Sequence, residues 1–113
     1  MIWDDLFEAM LKEIAKELGF GFSKTRAGYL LEIAKELGFG FSKTRAGYLL
    51  AKGDILLGFS SFVDRDGRLK ILVSPRASGR PIDLGNYSMD ELKGKNSKAR
   101  KNILAYIIKV SRQ

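Results

Sequence analysis

The chain has 113 residues, 45% hydrophobic and 29% charged, with a formal charge of +7; that length fits a single domain over 1–113, and the composition is globular rather than disordered. It contains no Cys and no His, which argues against a disulfide framework, a zinc or haem site and the usual general base of neutral-pH chemistry, so neither a cofactor nor an enzymatic activity is expected. No apolar run approaches the roughly 18 residues of a membrane span and the N-terminus is acidic, unlike a secretory or transit signal, so the expected setting is intracellular (cytoplasmic).

In chain order, Trp3, Leu6, Phe7, Met10, Leu11, Ile14 and Leu18 recur at spacings of three and four and predict an amphipathic helix. Asp4 or Asp5 is suited to cap its start, and Gly19 to end it, with Phe20 folding back on the last turn.

A repeat follows. EIAKELGFGFSKTRAGYLL runs over Glu13–Leu31 and again, letter for letter, over Glu32–Leu50. The second copy repeats the helical pattern and its glycine stop at Gly38, which predicts an extra helix near 28–37. Packing constrains only some positions, so identity down to surface Lys and Glu is not a demand of the fold. It points to a recent duplication or an engineered variant of a 94-residue parent, with the extra copy as an addition to a complete small domain. Because the copies are chemically equal, they can compete for one native position, and a homodimer or domain swap is open.

Beyond the repeat the pattern changes to sheet. Tyr48–Ala51 reads as a strand, Lys52-Gly53 as a tight turn and Asp54–Val63 as a second strand. Asp64-Arg65-Asp66-Gly67 is a hairpin signal, after which Leu69, Ile71 and Val73 alternate with Arg68, Lys70 and Leu72 up to Pro75. Residues 76–87 are loop-like, with a short edge strand at Ile82–Leu84. Ser88-Met89-Asp90-Glu91 is a capping box. Gly94 interrupts that helix, and Asn96 or Ser97 restarts it, with Ala99, Ile103, Ile107 and Val110 as its apolar stripe. The expected fold is therefore α+β: a three-stranded antiparallel meander over 46–74, packed against N- and C-terminal helices (the latter over 88–111), with an extra helix from the duplication.

Charge is unevenly spread. Residues 1–18 sum to −3, whereas residues 92–113 carry +7 without one acid. A basic end of this kind is the footprint of a polyanion binder. Lys98, Arg100 and Lys101 are the central candidates for phosphate contact, with Lys93, Lys95, Arg76 and Arg80 around them and Lys43 and Arg45 further out. The expected function is non-catalytic nucleic-acid binding, DNA or RNA, largely without sequence specificity. The alternative is a structural or protein-interaction domain whose charge only keeps it soluble.

Other motifs carry less. Gly19-Phe20-Gly21-Phe22 resembles part of the aromatic strand motif of the RNA-recognition-motif family, but Leu18 stands where that motif has a base and Ser23 where it has Val. Lys24-Thr25 echoes a phosphate loop, without its preceding glycine or strand. Asp54 and Lys70 invite a nuclease reading, yet Arg68 holds the strand position that should be acidic. ILAYIIKV (103–110) suits the core better than a membrane surface. The order helix–three strands–helix resembles the double-stranded-RNA-binding domain family, and Ser97-Lys98-Ala99-Arg100-Lys101 keeps part of its basic motif; the family's His is missing and the loop 76–87 is too long. That resemblance implies binding by shape and phosphate contact.

Overall fold

The computed structural model describes residues 2–25, 46–75, 81–94 and 96–112. Helix α1 (Ile2–Leu18) leads into β1 (Gly21–Thr25); then come β2 (Ala46–Lys52), β3 (Ile55–Val63), β4 (Leu69–Pro75), β5 (Ile82–Tyr87), the single turn α2 (Met89–Leu92) and α3 (Lys98–Ser111). The α+β class holds, but among the described residues the sheet has five antiparallel strands in the order β1-β2-β3-β4-β5, where three were expected. The helix expected over 28–37 lies outside the described residues. Asp4 and Asp5 fall within the first turn of α1 rather than at its cap, because the helix already includes Ile2.

The two added strands have separate causes. Gly19 ends α1 with φ +75°, and the Phe20 amide donates to the Ala15 carbonyl at 2.8 Å, as a glycine-terminated helix requires. The chain then does not stop at plugging the core with aromatics. Phe22 lies opposite Leu50 and stacks on Tyr48, with ring centroids 5.7 Å apart, while Ser23 stands opposite Leu49 on the other face. Two glycines beside a helix stop hid that alternation. At the other edge β5 runs on to Tyr87, which sits opposite Leu69 and is 1% exposed. The helix–three strands–helix order behind the resemblance to the double-stranded-RNA-binding family therefore does not hold.

One face of the sheet forms the core. Tyr48 and Leu50 on β2 stand opposite Phe59 and Leu57 on β3, and Phe59 stands opposite Val73 on β4. All are buried together with Phe7, Leu11 and Ile14 of α1 and Ile103 and Ile107 of α3, so both long helices share that face. Phe7 meets Tyr48 edge-on at 5.5 Å, the arrangement that the ring quadrupoles favour. Lys24, opposite Tyr48, reaches Glu8 of α1 at 3.3 Å and holds its carboxyl below the usual range, chiefly by that hydrogen bond.

The tight connections are built from side-chain caps. Asp64 Oδ1 accepts from the amides of Asp66 (2.9 Å) and Arg68 (3.0 Å), and Gly67 takes φ +76°. Asn86 donates to Asp64 Oδ2, fastening the turn to β5. These donors, the Arg68 amide first, lower the Asp64 pKa. At α2 the capping box is complete: Ser88 Oγ accepts from the Glu91 amide, and Glu91 Oε1 accepts from the Ser88 amide at 2.9 Å. Arg68 adds a 2.5 Å ion pair to Glu91. The Ser88 amide and then Arg68 lower Glu91 from the ordinary 4.5 to about 2.

A carboxyl whose folded pKa lies below its unfolded value adds stability above the unfolded pKa and loses it as pH falls through the folded one. Glu91 therefore stabilises the fold above about 4.5, and that contribution disappears on the way to about 2. Thermal melts between about pH 6 and pH 2 are expected to show Tm falling most steeply below about 4.5, with Glu91→Gln flattening the slope. An equal slope in the variant would show that the pair makes no difference between the folded and unfolded chains.

Candidate nucleic-acid interface

Helix α3 carries the basic end of the chain. Its start is fixed by Ser97, whose Oγ accepts from the Arg100 amide at 3.2 Å, the second of the two starts, Asn96 or Ser97, that the sequence offered. Gly94, at φ +87°, separates α2 from α3. Ala99, Arg100, Ile103 and Ile107 face inward. At 100° per residue the opposite side presents Lys98, Lys101, Asn102, Ala105, Lys109 and Arg112, all exposed, on an arc about 100° wide. The four cations of that arc extend over about 21 Å of helix axis. An equal length of duplex DNA carries about a dozen phosphate charges.

The nine expected contact residues fall into three groups. Lys93, Lys98 and Lys101 are exposed, Lys98 with its ammonium 3.8 Å from Glu91. Arg100 is buried, 5% exposed, and its two guanidinium nitrogens meet Glu13 at 3.1 Å and Glu17 at 2.7 Å on α1. It is a tie between helices, which corrects its assignment as a central phosphate contact. The side chain falls on the apolar side of α3 because it lies one residue from Ala99 and three from Ile103, a phase that the run of basic residues concealed. Lys95, Arg76, Arg80, Lys43 and Arg45 lie outside the described residues.

Lys109 and Arg112 were not among the expected contact residues. Counting in steps of three and four from Lys98 along the helix finds them on the same arc. They also complement the negative end of the α3 dipole. The first turn is different: it holds Lys98, Arg100 and Lys101 and no acid. Cations at a helix N-terminus oppose the dipole by roughly 0.3–1 kcal/mol each at the surface, a cost that Arg100 offsets through Glu13 and Glu17 and Lys98 partly offsets through Glu91.

The surrounding surface has mixed charge. Glu13, Lys16, Glu17 and Arg100 line an open depression between α1 and α3. Asp54 and Lys70 do not meet as a nuclease pair: Asp54 is in the exposed β2–β3 turn, and Lys70 holds Asp83 at 2.6 Å. Among the described residues, no helix is long and apolar enough to cross a membrane.

No family model, curated protein or solved structure matches the chain.

Proposed function

We propose that this protein binds nucleic acid through the phosphate backbone, without catalysis and largely without sequence preference. The carrying observation is the exposed basic face of α3, where Lys98 and Lys101 stand at the helix end whose dipole disfavours them and only Glu91 of the preceding turn, 3.8 Å from Lys98, offers a carboxylate. Phosphates would compensate Lys101 and compete with Glu91 for Lys98, and Lys109 and Arg112 continue the same face. The number of such groups is small, so binding is weak, non-specific and strongly dependent on salt.

The test is a titration of labelled random duplexes, DNA and RNA in parallel, at about 50 and 200 mM salt. The expected result is micromolar affinity at the lower salt that collapses at the higher. Lys98→Ala with Lys101→Ala is expected to weaken binding to all sequences alike and to reduce the logarithmic salt slope by about two. No binding at the lower salt would replace this proposal with a structural or interaction domain, in which the positive charge maintains solubility.

A further inference from the structure

The sheet is built from both copies of the repeat. Strand β1 belongs to the first copy, whereas β2 begins at Ala46 near the end of the second. The pairing is Gly21↔Ala51, Phe22↔Leu50, Ser23↔Leu49, Lys24↔Tyr48 and Thr25↔Gly47. Gly40-Phe41-Ser42-Lys43-Thr44 repeats β1 letter for letter and lies one residue before β2 in the chain. We infer that Gly40–Thr44 is an alternative occupant of the β1 position, so that the protein exchanges one edge strand for its own duplicate while α1, the Tyr48–Lys52 part of β2 and β3–β5 stay in place.

Three comparisons make the states close in free energy. First, the contacts repeat. With Thr44–Gly47 as a four-residue hairpin turn ending in glycine, a common geometry, Gly40 to Lys43 take the places of Gly21 to Lys24 and restore four of the five observed pairs. Phe41 then stacks on Tyr48 where Phe22 does now, and Lys43 meets Glu8 in place of Lys24. Second, the chain entropy repeats. Residues 26–45 link β1 to β2 in the observed state, and 19–39 link α1 to the strand in the exchanged one; closure entropy varies only with the logarithm of length. Third, the differences are local. The exchanged state gives up the seat of Phe20 against the end of α1 and the pairs of Ala46 and Gly47 with Ser61 and Ser60 at the start of β2, and gains a short hairpin connection.

The helix does not exchange with the strand. Moving the second copy wholly into register would put Arg26 at the position of Phe7 and Tyr29 at that of Met10. Phe7 is fully buried against Tyr48, and a guanidinium there has no compensation. The unique residues before Glu13 therefore pin α1, and the exchange is confined to β1.

The test is a double-mutant cycle on the two phenylalanines. An Asp facing the core at either position disables that copy alone. Phe22→Asp is expected to lower Tm by no more than about 6 °C and Phe41→Asp by less, because the other copy takes over. Phe22→Asp with Phe41→Asp is expected to lower Tm by more than twice the sum. If Phe22→Asp alone does the damage of the pair, the inference fails. The chain has no Cys, so a second measurement is direct. Ser23→Cys or Ser42→Cys is combined with Leu49→Cys, a cross-strand separation of about 5 Å that a disulfide spans, and each variant is equilibrated in a thiol buffer. Both are expected to close within one chain and to melt within about 5 °C of the uncrosslinked protein or above it. A 42–49 bond that lowers Tm further, that forms only between chains, or that fails to form while 23–49 closes, overturns the proposal.

Discussion

Phe59→Ala is expected to lower the stability of the fold by about 4 kcal/mol, the middle of the range for removing a buried aromatic ring. The ring is fully buried on the central strand of the sheet, opposite Tyr48 on one side and Val73 on the other. No neighbour closes such a hole easily: the β2, β3 and β4 backbones are held by ladders on both sides, and the residues across the core are themselves buried. Small domains have only about 5–15 kcal/mol in total, so this one change removes a large share. A denaturant titration checks it, with the midpoint falling and the slope unchanged. A loss below about 1 kcal/mol would mean that β3 is not the centre of the core.

The second large effect separates two roles that one basic residue could play. Arg100→Ala is expected to cost about 2 kcal/mol of stability and to leave the salt slope of the proposed nucleic-acid binding unchanged. The guanidinium joins α3 to α1 through Glu13 and Glu17, and its side chain is 7% exposed. Removing it leaves two carboxylates that are 62% and 59% exposed, which water solvates. The cost is therefore below the 3–5 kcal/mol of a fully buried pair that loses one partner. Most of it is lost packing, so Arg100→Met is expected to recover about half. Denaturant melts give the stability, and the duplex titration gives the slope. A slope reduced by about one in both variants would return Arg100 to the list of phosphate contacts.

How much of this could be read from the sequence depended on whether the deciding forces were local. The β2–β3 and β3–β4 hairpins were legible because Gly53 and the Asp64–Gly67 turn are written in adjacent residues. So were the caps at Ser88 and Ser97, where an oxygen and the amide it accepts lie three residues apart. Strand β1 was not. Its five residues acquire their alternation only against β2, across a sequence separation of more than 20 residues, and nothing inside GFSKT distinguishes a strand from a helix-terminating loop. The candidate site divides in the same way. The exposure of Lys98 and Lys101 follows from helical phase, and so did that of Lys109 and Arg112 once the phase was counted. The fate of Arg100 depended on carboxylates more than 80 positions away on α1, which no local pattern records.

Lys24 has a consequence for how these molecules meet one another in concentrated solution. Among the described residues β1 is the outer strand, with no described strand paired on its second side, and an outer edge is where another extended chain would add. The lysine points toward the helices on that edge and is fastened to Glu8. A second sheet extending this one past β1 would bring its own core-facing apolar side chain beside that ammonium and would begin to strip it of water. The far edge is guarded differently, by the irregularity between Lys70 and Leu72 and by the Lys70–Asp83 pair, which bend and charge the border at β5. A sheet with both borders defended in this way tends to remain dispersed, and the ammonium that guards its first border is supplied twice by the sequence.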